Sequence, residues 1–273
     1  MNNNPLISVV IPTYNRPDFL KKAVETVLNQ TYENLEILII DDASPVDNQK
    51  NINNFDDSRI MYFKNKTRSG APYSRNIGIK NAKGKFIAFL DDDDEWMPRK
   101  LEEQLKAFDD PNVGLVVCHS LDKRFDGERI SKPLDNIFYK DLLKSFNLSS
   151  TSSYLIRKEL FDEIGYFDLG LPSAQEYDLA LRISKNYGVK TVPDILMIQN
   201  ASEGQISENW TKKIKGIMAM YKKYANEYKI LGLKGCVFNH FQNVGLFGLF
   251  LLGFIFGNKI YKIIIPIKEL YER

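Results

Sequence analysis

The sequence predicts an α/β protein, in which helices flank a mostly parallel β-sheet and a helical tail follows at the C-terminus. Two observations lead to this fold class. Short, continuous runs of β-branched and apolar residues alternate with segments of helical periodicity, which is the pattern of strands buried on both faces of a parallel sheet. The connections between these segments are short, as in right-handed strand–helix–strand units.

The first 120 residues contain five predicted strands and three predicted helices. The strands cover 6–11, 35–40, 60–63, 86–90 and 113–118. Pro17 suits the first turn of a helix, and the apolar residues after it keep helical spacing as far as Leu28. A second helix is predicted over 70–84, with Gly84 as its C-terminal stop, and a third begins near Pro98.

The second half of the chain is less regular. The elements predicted there are a hairpin around Asp126-Gly127, a strand at 154–156, a helix at 175–185 and one or two short strands within 189–198. Past residue 202 the chain becomes basic, aromatic and helical in character. We therefore expect a domain over 1–205, with 1–110 and 111–205 as its two halves, and a tail over 206–273.

Charge is distributed unevenly along the chain. From Ser207 onward there are eleven Lys and Arg against four Glu, a net charge of about +7, whereas the whole chain carries only +2. The preceding part is therefore acidic, at about −5. An acidic front with a basic tail favours an anionic membrane surface as a partner and argues against a nucleic-acid groove.

Five acidic residues, Asp91 to Glu95, follow the apolar run at 86–90 without a break. Carboxylates this close repel and raise one another's pKa unless a cation neutralises them. Mg²⁺ takes oxygen ligands, typically one or two carboxylates plus the phosphates of its substrate. Because open α/β sheets bind ligands at the carboxyl ends of their strands, the stretch suggests a metal–diphosphate site. The alternative is a solvated acidic turn.

The carboxyl ends of three predicted strands share one edge of the sheet, and they carry Tyr14, Asp42 and the acidic run. Arg75 faces that edge from the neighbouring helix. A base could stack on Tyr14 and donate its imide N–H to Asp42, while the guanidinium fork of Arg75 suits a diphosphate. Taken singly, Tyr14 is equally explained as a packed aromatic and Arg75 as a surface cation. Their co-location favours a nucleotide diphosphate site.

Six motifs occur in order along the chain: VVIPTYNR at 9–16, IIDDAS at 39–44, SRNIG at 74–78, FLDDDDEW at 89–96, GYFD at 165–168 and QEYDLALR at 175–182. In this order and spacing they resemble the motifs of family 2 glycosyltransferases, which have the GT-A fold. The resemblance spans roughly residues 5–205 and implies a nucleotide-binding half over 1–110 and an acceptor half over 111–205.

The resemblance implies an inverting enzyme that moves a sugar from a nucleotide-diphosphate sugar, with a UDP-sugar favoured, to a hydroxyl acceptor. Its donor-binding positions would be Pro12, Thr13, Tyr14, Arg16, Asp42, Arg75, Asp91 and Asp92. Asp93 would be the ligand of a Mn²⁺ or Mg²⁺ ion, with Asp91 as a second candidate. The acceptor would be a lipid-linked or cell-surface glycan intermediate.

Glu176 falls at the position of the family's general base, which takes the proton of the acceptor hydroxyl. The alternative is an acid that stabilises the N-terminus of a helix. Asp178 is expected to pair with Arg182 one turn later. One departure concerns the stretch at 198–202, IQNAS, which contains neither a His nor a basic residue. Some family members have such a residue there to meet the metal or diphosphate.

Two other functions are compatible with parts of the pattern. A sugar nucleotidyltransferase has a related sheet but a Gly-rich signature after its first strand, and residues 12–16 contain none. A binding protein that holds nucleotide sugar without turnover is the non-enzymatic alternative. Asp93 and Glu176, as a metal ligand and a base, argue against it.

The C-terminal tail combines a basic segment with an apolar one. No formally charged residue occurs between Lys234 and Lys259, and 244–256 is strongly apolar. We expect 235–258 to insert shallowly into a membrane beside a basic amphipathic helix at 210–229, whose six lysines would contact anionic lipid. A spanning helix and a core hairpin or subunit interface are the alternatives, and the last would allow oligomers.

The N-terminus has no basic-then-apolar leader, which predicts a cytoplasmic protein. With the membrane-associated tail, we expect it to be peripheral or monotopic at the inner face of the cell membrane.

Overall fold

The computed structural model describes residues 4–124, 127–144, 148–201 and 210–230. The strands are β1 Ile7–Thr13, β2 Leu35–Asp41, β3 Ile60–Lys64, β4 Phe86–Phe89, β5 Glu95–Trp96, β6 Val113–Arg124, β7 Gly127–Ser131, β8 Asn136–Ile137, β9 Leu155–Arg157 and β10 Gly188–Asn200. The helices are α1 Pro17–Leu28, α2 Asn48–Asn53, α3 Ala71–Asn81, α4 Lys100–Lys106, α5 Tyr139–Lys144, α6 Leu160–Ile164, α7 Gln175–Ser184, α8 Trp210–Lys223 and α9 Ala225–Ile230.

The described strands form one sheet in the order β3-β2-β1-β4-β9-β6-β10-β5, with β7 paired to β6 and β8 to β10. Strands β3, β2, β1 and β4 are mutually parallel, and β6 is parallel to β10. β9 runs antiparallel between β4 and β6. The sheet is thus mostly parallel, and the predicted α/β fold class is confirmed.

Each face of the sheet carries a hydrophobic core. All seven residues of β1 are buried, and successive side chains of a strand point to opposite faces. Val9 therefore packs with Leu20 and Val24 of α1 on one face. Val10 packs on the other face with Ile79 of α3 and with the apolar side of α7. Helices cover both faces, which explains the continuously apolar strands in the sequence.

Three elements differ from the sequence-based expectation. β6 extends to Arg124 because its polar half pairs with β7 and β10. The predicted short strands at 189–198 are one continuous strand, β10, whose pairing shifts register between Val192 and Ile195. Pro193 lies at this shift and cannot donate to the ladder. The third is β5, a short antiparallel strand within the end of the acidic run.

Helices α8 and α9 pack against the core through part of their apolar residues. Met220, Tyr224 and Tyr228 are buried in the same cluster as the apolar side of α7. Lys223 Nζ lies 2.6 Å from Asp168 Oδ2 and 2.7 Å from Asp178 Oδ1. Lys223, one of the six lysines expected to contact anionic lipid, is thus engaged by two carboxylates, and contact of this helix with a membrane stays a prediction. The boundary at residue 205 stays a prediction.

Close packing continues at the start of α8. A Cβ on Gly216 would lie 2.0 Å from Ser173 Oγ, so only glycine permits this approach. Ser173 Oγ in turn donates to the carbonyl of Lys212. The loop before α7 and the first turns of α8 are thereby held together.

Within the described ranges, no helix is long and apolar enough to cross a membrane. The segment predicted to insert, 235–258, lies outside the described residues.

Candidate active site

Polar side chains from three adjacent strands meet at one edge of the sheet. Thr13, the last residue of β1, is in register with Asp41, the last residue of β2, and β1 is also parallel to β4. Thr13 Oγ1 donates to Asp92 Oδ2 at 2.7 Å, which joins the end of β1 to the acidic run after β4. The predicted convergence of these strand ends is therefore observed.

The acidic run is buried. Asp92, Asp93 and Asp94 are 7%, 8% and 2% exposed, so the alternative of a solvated acidic turn is wrong. Burial raises the pKa of Asp92 to about 7. Burial, with the neighbouring charges of Asp91 and Asp93, also raises the pKa of Asp94 well above its ordinary value. Carboxylates with such raised pKa values gain from a nearby cation.

Three basic side chains offset part of this negative charge. Arg16 Nη1 lies 2.8 Å from Asp93 Oδ2. Arg75 Nη2 pairs with Asp91 Oδ1. Lys22 Nζ lies 2.7 Å from Glu95 Oε1 at the more exposed end of the run.

Arg75 has unused hydrogen-bonding capacity at the centre of the site. The residue is 7% exposed, and its guanidinium lies 5.5 Å from the centroid of the Phe167 ring. Its Nε is buried and has no hydrogen-bond partner among the described residues. Because a buried N–H without an acceptor is unfavourable, this atom fits an anionic ligand such as a phosphate oxygen.

Asp42 anchors the segment between β3 and α3. Its Oδ1 accepts hydrogen bonds from Asn65 Nδ2 at 2.9 Å and the Ser69 amide at 2.8 Å, and its Oδ2 accepts one from the Gly70 amide at 2.7 Å. The carboxylate is thus already engaged by this loop, whereas the sequence suggested a direct contact with a base. The direct contact stays a prediction.

The same loop carries Arg68, which sequence reasoning missed. Its guanidinium lies 3.9 Å from the centroid of the Tyr14 ring, a cation–π contact. Arg68 therefore lies on the aromatic face predicted to stack on a base. Pro12 and Thr13, the last two residues of β1, directly precede Tyr14.

Glu176 lies in the first turn of α7. Ala174, just before the helix, has a left-handed backbone with φ of 63°. Burial raises the pKa of the Glu176 carboxyl, the Arg75 charge lowers it and the Asp91 charge raises it. These effects place Glu176 within electrostatic reach of the acidic strand end. The predicted pair behind it is confirmed, since Arg182 Nε donates to Asp178 Oδ2 at 2.9 Å.

Asn200, at the end of β10, was also missed as a site residue. Its Nδ2 donates to the Asp93 carbonyl and to Glu95 Oε1, each at 2.9 Å. It lies in the stretch where some family members have a His. A cleft of about 250 Å³ opens here, lined by Phe19, Lys22, Asp92, Asp93, Asp94, Glu95, Asn200 and Ala201.

Ser152, the third missed residue, links Asp91 and Asp94 of the acidic run. Its Oγ donates to Asp94 Oδ2 at 2.6 Å and accepts a hydrogen bond from the Asp91 amide at 3.0 Å. No local sequence signal marks Ser152, because the partners lie about sixty residues away.

The donor atoms fit a hard divalent cation that is shared with a ligand. In the described part of the chain, no three His, Cys, Asp or Glu side chains group closely enough to hold a metal by themselves. Asp91 nevertheless supplies a carboxylate oxygen beside the buried Arg75, and Asp93 supplies one beside Arg16. This suits Mg²⁺ or Mn²⁺, which commonly takes one or two carboxylates and completes its shell with substrate phosphates and water.

A mostly parallel sheet with helices on both faces is the architecture of GT-A glycosyltransferases. The family model described as "Glycosyl transferase family 2" matches residues 8–170. The chain belongs to this family of glycosyltransferases.

Two curated relatives from Escherichia coli match most of the chain. The putative colanic acid biosynthesis glycosyl transferase WcaA of strain K12 is 34% identical over 253 residues, covering 89% of each chain. The UDP-Glc:alpha-D-GlcNAc-diphosphoundecaprenol beta-1,3-glucosyltransferase WfaP is 31% identical over 233 residues, covering 84% of this chain and 88% of the relative.

Solved structures with low sequence identity share the fold. S. aureus TarS 1-349 in complex with UDP-GlcNAc has a TM-score of 0.64 at 17% identity, covering 79% of this chain and 66% of that one. The mannosyltransferase PcManGT from Pyrobaculum calidifontis, in complex with GDP-Man and Mn²⁺, also has a TM-score of 0.64, at 18% identity, covering 98% of this chain and 83% of that one.

Proposed function

We propose that this glycosyltransferase is metal-dependent and inverting, and that it moves a sugar from a UDP-sugar to a hydroxyl of a lipid-linked glycan intermediate. The observation that carries the proposal is the position of Glu176. Its carboxyl is within electrostatic reach of Arg75 and Asp91, across the edge where the strand ends meet. Inversion by direct displacement needs a base opposite the leaving diphosphate, and Glu176 would be that base.

The donor base and ribose would bind at the ends of β1 and β2. Pro12 and Thr13 would form the floor of this site and Tyr14 would offer its ring for stacking, while Asp42 holds the loop between β3 and α3. The cation–π contact of Arg68 with Tyr14 would open to admit the base.

The diphosphate would lie between the two arginines and the acidic run. Arg75 Nε is buried without an acceptor among the described residues, and a guanidinium binds phosphate oxygens through parallel N–H donors. Arg16 Nη1 lies 3.4 Å from Asp92 Oδ1. Asp91 and Asp92 would face the ribose and phosphates from β4.

Asp93 would hold the divalent ion, with Asp91 as the second candidate ligand. A bound Mn²⁺ or Mg²⁺ would offset the charge that develops on the leaving diphosphate. Asn200 donates a hydrogen bond to the carbonyl of Asp93, and Ser152 donates one to the carboxylate of Asp94.

Glu176 would accept the proton of the acceptor hydroxyl, a role worth about 10²–10⁴-fold in rate. Burial raises the pKa of its carboxyl, which makes the carboxylate a stronger base. Because Asp178 one half-turn later is held by Arg182, Lys223 and Tyr224, the helix carrying the base is firmly placed.

The names of the relatives support the choice of substrates. WfaP is named for transfer from UDP-Glc to GlcNAc-diphosphoundecaprenol, and WcaA for colanic acid biosynthesis. An acceptor on a lipid carrier would bring the enzyme to the inner face of the cell membrane. We propose that residues beyond 230 make that contact, with 1–110 binding the donor and 111–205 the acceptor.

The test combines donor binding and transfer. Purified full-length protein is screened for thermal stabilisation by UDP, GDP and dTDP with and without Mn²⁺, since a tight ligand raises the melting temperature by mass action. Transfer is then measured with the matching radiolabelled sugar nucleotides and a synthetic GlcNAc-diphosphate lipid. We expect UDP stabilisation that needs Mn²⁺ and is lost in Asp93→Ala. Stabilisation of Asp93→Ala equal to wild type would remove the metal role.

A further inference from the structure

Arg16 bridges the two buried carboxylates at the centre of the acidic run. Its Nη1 lies 2.8 Å from Asp93 Oδ2 and 3.4 Å from Asp92 Oδ1. The two carboxylate side chains are each 9% exposed, whereas the Arg16 side chain is 26% exposed. One guanidinium nitrogen is therefore shared by two acids that have little contact with water.

The backbone on both sides of Arg16 is constrained, so a change of its contacts would come from rotation of its side chain. Pro17 follows at the first position of α1. Asn15 precedes it in a left-handed conformation, with φ of 54°, and its amide donates to Ser44 Oγ at 2.8 Å. The long, partly exposed side chain of Arg16 can turn about this fixed point.

We propose that, in the donor-free protein, the Arg16 guanidinium takes the place of the divalent cation at Asp93, with a second contact to Asp92, and that it moves to the donor diphosphate when the cation enters. Arg16 is thus a positioning residue that couples cation binding to donor binding. This inference rests on the metal-dependent function proposed above.

Charge explains why the two positions exclude each other. A divalent ion at Asp93 and a guanidinium 2.8 Å from the same carboxylate would repel one another. The diphosphate offers Arg16 new anionic partners, with a geometry that suits its fork of donors. It also supplies the oxygen ligands that the described residues do not provide alone. Each ligand therefore removes an obstacle to the other, which is thermodynamic coupling between two sites.

Lys22 provides a matched control. It lies beside the same cleft and forms an ion pair at 2.7 Å, but its partner is Glu95 and its side chain is 59% exposed. Lys22→Gln removes one positive charge, as Arg16→Gln does, but it keeps the contacts of Arg16 with Asp92 and Asp93.

The experiment measures Mn²⁺ affinity by electron paramagnetic resonance of free Mn²⁺, with and without saturating UDP. Full-length wild type, Arg16→Gln, Arg16→Lys and Lys22→Gln are compared, and far-UV circular dichroism checks folding. Without UDP, we expect Arg16→Gln to bind Mn²⁺ at least about 10-fold more tightly than wild type, the size of one charge-assisted hydrogen bond. Lys22→Gln should stay within about 2-fold of wild type, as for an exposed ion pair. Arg16→Lys, which keeps the charge, should bind as weakly as wild type.

UDP should increase Mn²⁺ affinity more in wild type than in Arg16→Gln, because only in wild type must the Arg16 guanidinium leave the carboxylates. Equal or weaker Mn²⁺ binding by Arg16→Gln without UDP would overturn the inference, as would an equal gain in Lys22→Gln. If Arg16→Gln does not fold, tight Mn²⁺ binding by Arg16→Lys would overturn it instead. If wild type binds no Mn²⁺ even with UDP, both this inference and the metal-dependent function are overturned. If wild type binds Mn²⁺ but Arg16→Gln does not bind it more tightly, only this inference is overturned.

Discussion

The ion pairs of Lys223 allow a direct test of how the C-terminal helices are attached. Asp178 is fully buried and accepts from three donors: Arg182 Nε at 2.9 Å, Tyr224 Oη at 2.8 Å and Lys223 Nζ, which lies 2.7 Å from its Oδ1. Lys223→Met removes one of these and also the contact with Asp168. The two remaining donors keep the buried carboxylate from being left unpaired.

The expected loss of stability follows from the exposure of the groups. A hydrogen bond to a charged group contributes about 1.5–3 kcal/mol, but the Lys223 side chain is 34% exposed, so solvent screening lowers this figure. We expect Lys223→Met to reduce the free energy of unfolding by about 1–2 kcal/mol. For a domain of about 200 residues this lowers the melting temperature by about 2–8 °C.

Thermal and urea denaturation of the full-length protein provide the measurement, and Lys222→Met is the matched control. Lys222 is the preceding residue on the same helix and is exposed. Its replacement should change the free energy of unfolding by no more than about 0.5 kcal/mol. If the two variants are equally stable, the attachment of α8 to α7 through Lys223 is refuted.

Three further predictions concern the base and its helix. Glu176→Gln should leave UDP binding unchanged and lower kcat by at least about 10²-fold; near-normal turnover in a transfer assay would exclude Glu176 as the base. Burial raises the pKa of Glu176 above its ordinary 4.5, and a base acts only when deprotonated. The pH–rate profile of wild type should therefore fall as the pH drops through a value above 4.5, and an activity that stays flat down to pH 4.5 would contradict this. Ala174→Gly should keep or raise the melting temperature. The left-handed backbone at φ of 63° costs an L-residue about 1–2 kcal/mol, which glycine avoids. Glycine loses more chain entropy on folding, but this destabilises the protein by only about 0.5–1 kcal/mol. A melting temperature more than a few degrees below wild type would show that the Ala174 methyl group packs instead.

The part of the site that sequence could predict depends on local pattern and one topological rule. Buried parallel strands read as apolar runs, and their carboxyl ends meet at one edge. From this rule the sequence predicts that Tyr14, Asp42 and Asp91 lie close together. The observed register of β1 with β2 and β4 agrees.

The contacts that sequence could not predict join residues far apart in the chain. Asn200 reaches Asp93 across more than a hundred residues, and Ser152 reaches Asp94 across 58. Both are ordinary polar residues without a local motif. Their roles arise from the pairing of β5 with β10 and of β9 with β4, which no local pattern specifies.

The tail helices show a different limit. An apolar stripe containing Met220, Tyr224 and Tyr228 has the same periodicity whether it faces lipid or a protein core. The structure places it in the core. The ion pairs of Lys223 with Asp168 and Asp178 explain why one of the basic residues belongs there as well.

The most direct test of the account is the position of Mn²⁺ in crystals of the protein soaked with MnCl₂ and UDP, read from its anomalous scattering. We predict an anomalous peak within coordination distance of Asp93 and of both UDP phosphates, with Arg75 on the diphosphate. A diphosphate bound at this edge without a metal peak, or a peak remote from Asp91 and Asp93, would contradict the central claim.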